Sequence, residues 1–205
     1  MRKIIFNIFL LLVTAVNVFA QEPNKVELYG NSGISFPAGP DEFSDYWKMG
    51  FNLGGGIGYP LTPNFVLIGY FDFNSFKFDD DAFLEDYGLG GSGLSVSGGE
   101  ASVITLSGNL KMNLQTSSSQ ARPYLIGGIG LFKLSVSDMT IYDGFGGFAK
   151  TEGDSETAFS VLLGAGIDFA VGERMDLFFE GKYAIGFTED ESTQVLPIKL
   201  GLKFR

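Results

Sequence analysis

An alternation with a period of two constrains this chain most, and it is clearest in the stretch from Asp176 to Thr188. Leu177, Phe179, Gly181, Tyr183, Ile185 and Phe187 form one set; Asp176, Phe178, Glu180, Lys182, Ala184 and Gly186 form the other, and all the charge lies in the second. Successive side chains of a strand leave opposite faces, so the stretch predicts a strand with one oily face and one polar face. A soluble antiparallel strand shows the same pattern, and periodicity alone leaves open whether the oily face meets a protein core or lipid.

Seven further segments repeat the pattern. One face carries Val26, Leu28, Ile34 and Phe36 in Val26 to Phe36, and Trp47, Met49, Phe51, Leu53, Ile57 and Tyr59 in Trp47 to Tyr59. Phe65 to Ser75 sets Phe65, Leu67, Phe71 and Phe73 against Asp72 and Asn74, and Ser102 to Leu114 sets five aliphatic residues against Thr105, Ser107, Asn109, Lys111 and Asn113. Phe159 to Val171 opposes Phe159, Val161, Leu163, Ile167 and Phe169 to Ser160 and Asp168; Gln194 to Arg205 opposes five apolar residues to Lys199 and Lys203. Arg122 to Val136 is less clean: Tyr124, Ile126, Phe132 and Leu134 share one face with Leu125 and Ile129 on the other. Lys133 and Ser135 assign the first set outward. With 29 Gly and 21 Phe in 205 residues, the expectation is one all-β domain.

The links alternate in length. Pro60 to Asn64, Gln115 to Ala121 and Gly172 to Met175 are short and turn-like, whereas Pro37 to Tyr46, Lys77 to Gly99 and Ser137 to Glu156 are long; Glu189 to Thr193 is the exception. At the start, Arg2 and Lys3 precede an apolar run from Ile4 to Val18, and Val18-Phe19-Ala20 leads into Gln21. That is the layout of a secretory leader spanning residues 1–20 and cleaved after Ala20, ahead of a single domain over residues 21–205. No later stretch approaches the run of about 20 apolar residues that a membrane helix needs, so strands must make any later crossing.

Composition removes several functions. The formal net charge is −10, and −12 without Arg2 and Lys3, which excludes the basic footprint of a nucleic-acid partner. Without Cys there is no disulfide framework, thiolate metal site or Cys nucleophile, and without His the usual general base and zinc ligand are missing. No catalytic residue, metal site or cofactor is therefore assigned. The Gly54-Gly55-Gly56 and Gly127-Gly128 runs lack nucleotide-loop spacing and are expected to relieve crowding in curved strands.

Three features place the oily faces against lipid. None of the outward sets contains a charge, while the opposite sets hold Lys48, Asp72, Lys111, Lys133, Asp168, Glu180, Lys182, Lys199 and Lys203. A cation on the lipid face at the midplane costs about 2 to 4 kcal/mol, so lipid purges charge in this way. Outward rings sort into a turn-end belt (Tyr59, Phe65, Tyr124, Phe169, Phe179, Phe204) and a loop-end belt (Phe36, Trp47, Phe73, Phe159, Phe187), as at the two interfaces of a bilayer. Only a closed sheet leaves no backbone donor unpaired in hydrocarbon.

In its leader, in PYLIGGIGLF from Pro123 to Phe132, in GAGIDFAV from Gly164 to Val171 and in LPIKLGLKF from Leu196 to Phe204, the sequence resembles a known family. This is the group of small eight-stranded outer-membrane barrels, OmpA/OmpX-like and opacity-like, described by the outer membrane protein beta-barrel domain. The resemblance implies an all-β, eight-stranded antiparallel up-and-down transmembrane barrel in the outer membrane. The partners it implies are outer-membrane lipid, lipopolysaccharide and the barrel-insertion machinery.

The expected site is a lumen charge network of Lys48, Asp72, Lys111, Asp168, Glu180, Lys182, Lys199 and Lys203. It reads either as a narrow ion path or as a polar plug, and the plug is favoured because eight strands leave an interior just wide enough for side chains to fill. The long loops collect acid (Asp79, Asp80, Asp81, Glu85, Asp86; Asp138, Asp143, Glu152, Asp154, Glu156), with Glu189, Asp190 and Glu191 in the short link. Their spacing fits no EF-hand, so solvated loop is expected over a cation site. Loop rings Phe83, Tyr87, Tyr142, Phe145 and Phe148 form either an adhesive surface or a packed one. The leading function is a non-enzymatic barrel with an envelope-structural or surface-interaction role; the rivals are a narrow solute channel and a soluble, lipocalin-like carrier with an oily lumen.

Overall fold

The computed structural model of the protein describes residues 26–114, 120–143, 145, 147–189 and 191–205. The predicted leader, most of the predicted turn at residues 115–121 and Asp190 lie outside the described residues. Eight strands form one closed antiparallel barrel: β1 (Glu27–Gly39), β2 (Gly50–Pro60), β3 (Phe65–Phe76), β5 (Ala101–Asn113), β6 (Ala121–Val136), β9 (Asp154–Ala170), β10 (Met175–Gly186) and β11 (Thr193–Phe204). Each pairs with its neighbour in the chain, and β11 closes onto β1 from Leu28↔Phe204 to Gly39↔Gln194. No edge remains, so the barrel strands pair on both sides. No described helix is long and apolar enough to cross a membrane.

Side-chain direction inverts the arrangement of a soluble protein. Leu163 and Ile57 are 66% and 62% exposed on the outer surface, whereas Lys199 and Lys182 are 0% and 1% exposed inside. An oily exterior around buried lysines rules out the soluble carrier, which needs the reverse, and matches strands that alternate apolar-out and polar-in across lipid.

One strand departs from expectation. On β6, Tyr124, Ile126 and Phe132 point inward and are buried, while Leu125, Ile129, Leu131 and Lys133 point outward and are exposed. Tyr124 therefore leaves the turn-end belt, and Lys133 leaves the lumen. The lumen accepts these rings because facing glycines make room: a Cβ on Gly166 would lie 2.4 Å from the Tyr124 hydroxyl, and one on Gly186 would lie 2.5 Å from the Phe132 ring. Lys133 pairs with Ile104 and Thr157 near the loop end of the wall, where its long stem can carry the ammonium to the rim.

The long loops are folded. The first holds α1 (Asp41–Tyr46), the second holds α2 (Asp80–Asp86) and β4 (Ser95–Gly98), and the third is a hairpin of β7 (Met139–Tyr142) and β8 (Phe148–Thr151). The last three strands join as a separate sheet in the order β4-β7-β8, so two different loops share one platform above the barrel. A run of rings roots it. Phe76 meets Phe43, Phe43 meets Trp47, Trp47 meets Phe78 and Phe78 meets Phe83, with centroids 5.3 to 5.4 Å apart. The indole Nε1 of Trp47 donates to the Gly99 carbonyl at 2.8 Å, tying the first loop to the second.

Candidate functional site

From the loop end to the turn end, the lumen is filled in layers. The uppermost is apolar: Phe43 of α1 enters the mouth and packs with Phe76, Ala101, Val103, Phe132, Leu162, Ala184 and Val195. Above it lies an open cleft of about 620 Å³, lined by Asp41, Glu42, Glu156 and Glu191 with Leu134 among them.

A charge-balanced layer sits below. Lys199 Nζ reaches Asp72 Oδ1 at 2.6 Å and Glu180 Oε1 at 3.9 Å, and Lys182 Nζ lies 3.2 Å from Glu180 Oε1. The Tyr124 hydroxyl donates to Glu180 Oε2 at 3.0 Å, and both ammonium groups lie over the Tyr70 ring, at 4.6 and 4.9 Å from its centroid. Two carboxylates thus face two lysines. Such burial is tolerable because each charge has a partner at hand.

The lowest layer closes the turn end. Lys111 Nζ donates to both oxygens of Asp168, at 2.9 and 2.8 Å, and lies 3.7 Å from the Tyr124 ring centroid. Lys203 Nζ bridges Asp168 at 2.6 Å and Asp176 at 2.8 Å, and Asp176 also forms ion pairs with Arg122 at 2.5 Å and Arg205 at 2.7 Å. Glu27 accepts from the Tyr29 hydroxyl and lies 3.9 Å from Lys203.

Seven of the eight sequence-predicted residues therefore meet in the lumen: Asp72, Glu180, Lys182 and Lys199 in one layer, and Lys111, Asp168 and Lys203 in the next. Lys48 does not. It precedes the start of β2 at Gly50, is half exposed, and pairs with Asp79 of the second loop at 3.1 Å. The bridge between Trp47 and Phe78 holds the chain above the rim there, which keeps Lys48 out of the barrel.

Sequence reasoning missed Glu27, Tyr29, Tyr70, Arg122, Asp176 and Arg205 as network members. Parity carried the signal for most of them. Arg122 shares its face with Tyr124 and Ile126, and Tyr70 shares its face with Asp72 and Asn74.

The loop carboxylates are held by local partners. Burial alone would push Asp79 up, but the Ala82 amide and the Lys48 ammonium keep it below the usual carboxylate range. The Asp79 hydrogen bond in turn raises Lys48. The Ser137 hydroxyl lowers Glu100, and the Lys150 ammonium lowers Asp138. The Tyr46 hydroxyl donates to Asp86, which pushes its pKa up to about 12. Asp79, Asp80 and Asp81 place their oxygens within 4.8 Å of one another, yet Asp79 is already engaged as a helix cap and by Lys48. The loop rings divide between the two expectations. Phe83 packs between Phe78 and Tyr87, while Phe145 and Phe148 stand 97% and 71% exposed.

The fold recurs in solved outer-membrane proteins. Neisserial surface protein A aligns over 87% of this chain and 96% of its own, with a TM-score of 0.60 and 13% identity. A major outer membrane protein from Thermus thermophilus aligns over 88% and 98%, with a TM-score of 0.52 and 12% identity. No curated protein sequence matches at a significant level. The family model for the outer membrane protein beta-barrel domain matches residues 8–204, nearly the whole sequence. Closed eight-stranded topology, an oily wall around buried charge and this match together identify the chain as a member of the outer membrane protein beta-barrel domain family, located in the outer membrane.

Proposed function

We propose that the protein is a closed, non-enzymatic barrel that holds a folded, acidic platform at the cell surface, for contact with other molecules or with envelope components. The observation that carries this reading is the filled lumen. An apolar stopper under α1 lies over two layers of paired charge, and an ion crossing it would have to leave water and displace buried side chains. Short turns face the periplasm in such barrels and long loops face outward, which sets the platform outside. The absence of His and Cys from the whole chain supports a role without catalysis. On this reading residues 1–20 are a leader cleaved after Ala20, and the mature chain reaches its place among lipid and lipopolysaccharide through the barrel-insertion machinery.

Planar-bilayer recording of the purified protein tests the proposal. A closed barrel gives no steady current. Large, ohmic conductance would replace the plug with a channel.

A further inference from the structure

The platform sheet ends in a free edge. β4 lies beside α2, whereas β8 pairs with β7 on one side and has no strand on the other among the described residues. The Asp143 amide donates to the Gly147 carbonyl at 3.1 Å, and antiparallel alternation from that pair turns the N–H and C=O groups of Phe148 and Lys150 away from β7. Beside this edge lies a shallow trough of about 360 Å³ lined by Leu94, Ile141, Phe148 and Ala149, with Asp143 at its border. All four β8 residues are exposed.

Charge selects among the candidates for this edge. In residues 40–50, 77–100, 137–156 and 187–192, the described loop residues hold sixteen carboxylates against Lys48, Lys77 and Lys150. A second copy would bring the same surplus and be repelled, and so would nucleic acid or an anionic glycan. An extended cationic polypeptide meets both demands. Its backbone can pair with Phe148 and Lys150, and alternate side chains point to the apolar trough and to the acidic surroundings.

We propose that the free edge of β8 receives an extended segment rich in Lys or Arg as a fourth strand of the platform. This rests on reading the platform as an interaction surface, and it adds the chemistry of the partner and the place where it binds. Strand pairing is not sequence-specific, so alternation and charge define the segment.

The test uses the whole protein in nanodiscs of zwitterionic lipid and a labelled peptide of about eight residues alternating Lys and Val, with blocked ends. Saturable binding that weakens with salt is expected, and a Glu/Val peptide is expected not to bind. Phe148→Pro removes a donor from the free side only, and should weaken binding about tenfold, the upper end of the loss expected of one hydrogen bond, while Phe148→Val keeps it within about threefold. Methylating alternate amides of the peptide should abolish binding without touching the protein. Heat-shifted gel mobility checks that each variant still forms the barrel. Equal binding of the two peptides, or unchanged binding after either backbone block, would overturn the proposal. No binding of the Lys/Val peptide would overturn it too, and would leave the closed lumen, judged by conductance, untouched.

Discussion

Lys199→Met is the most informative single change in the lumen. Lys199 is fully buried, and its ammonium supplies the 2.6 Å contact to Asp72 and a longer one to Glu180. Methionine keeps most of the volume, so little of the effect comes from a cavity. Glu180 retains Lys182 at 3.2 Å and the Tyr124 hydroxyl, but Asp72 is left as a buried charge with its ion pair broken. Breaking one side of a buried pair costs about 3 to 5 kcal/mol, and loss of the cation over Tyr70 adds to it. Asp72→Asn in the same chain removes the orphaned charge and should bring stability back to within about 1 kcal/mol of the parent, since neutral replacement of a buried pair is often tolerated. Urea unfolding in lipid vesicles, followed by the fluorescence of Trp47, measures both. A loss below about 1 kcal/mol in the single variant would refute the reasoning, because it would mean that water in a wet lumen solvates Asp72.

Other expectations follow from the same geometry. Leu106→Lys places a cation on the outward face near mid-height of β5 and should cost about 2 to 4 kcal/mol in vesicle refolding, whereas a cost near zero would remove lipid from that face. Glu100 and Asp138 are held below the usual carboxylate range, so the loop order they support is complete at neutral pH and is lost as pH falls through their lowered values. The Gly153 amide, which donates to Asp138 Oδ1 at 2.8 Å, reports this by NMR; its midpoint should lie below that of an unpaired aspartate, and one at or above it would contradict the pairing with Lys150.

Strand number, strand order and the sorting of most charges were legible in the sequence, because lipid enforces the period of two on every strand that crosses it. β6 was misread for a physical reason. The alternation puts Lys133 in the lumen, but near the rim a lysine can stand on the outer face and carry its charge to the headgroups. The inner face of β6 holds Tyr124, Ile126 and Phe132, since the lumen is partly apolar and glycines on β9 and β10 accommodate two of those rings. Arg122, on the same face, was the available clue. Lys48 failed because charge says nothing about where a strand begins; the Trp47–Phe78 bridge decides that. Platform elements of four to seven residues are too short for a reliable period, and the β4-β7 pairing joins loops far apart in sequence.

Which side chains face lipid is tested most sharply on β6, because its pattern reads both ways. The chain has no cysteine of its own, so single Cys residues placed at 124, 125, 126, 129, 131 and 132 can each carry a spin label in the vesicle-embedded protein. Collision with dissolved oxygen should be high for labels at Leu125, Ile129 and Leu131 and low at Tyr124, Ile126 and Phe132. The opposite phase, or no alternation, would contradict the account.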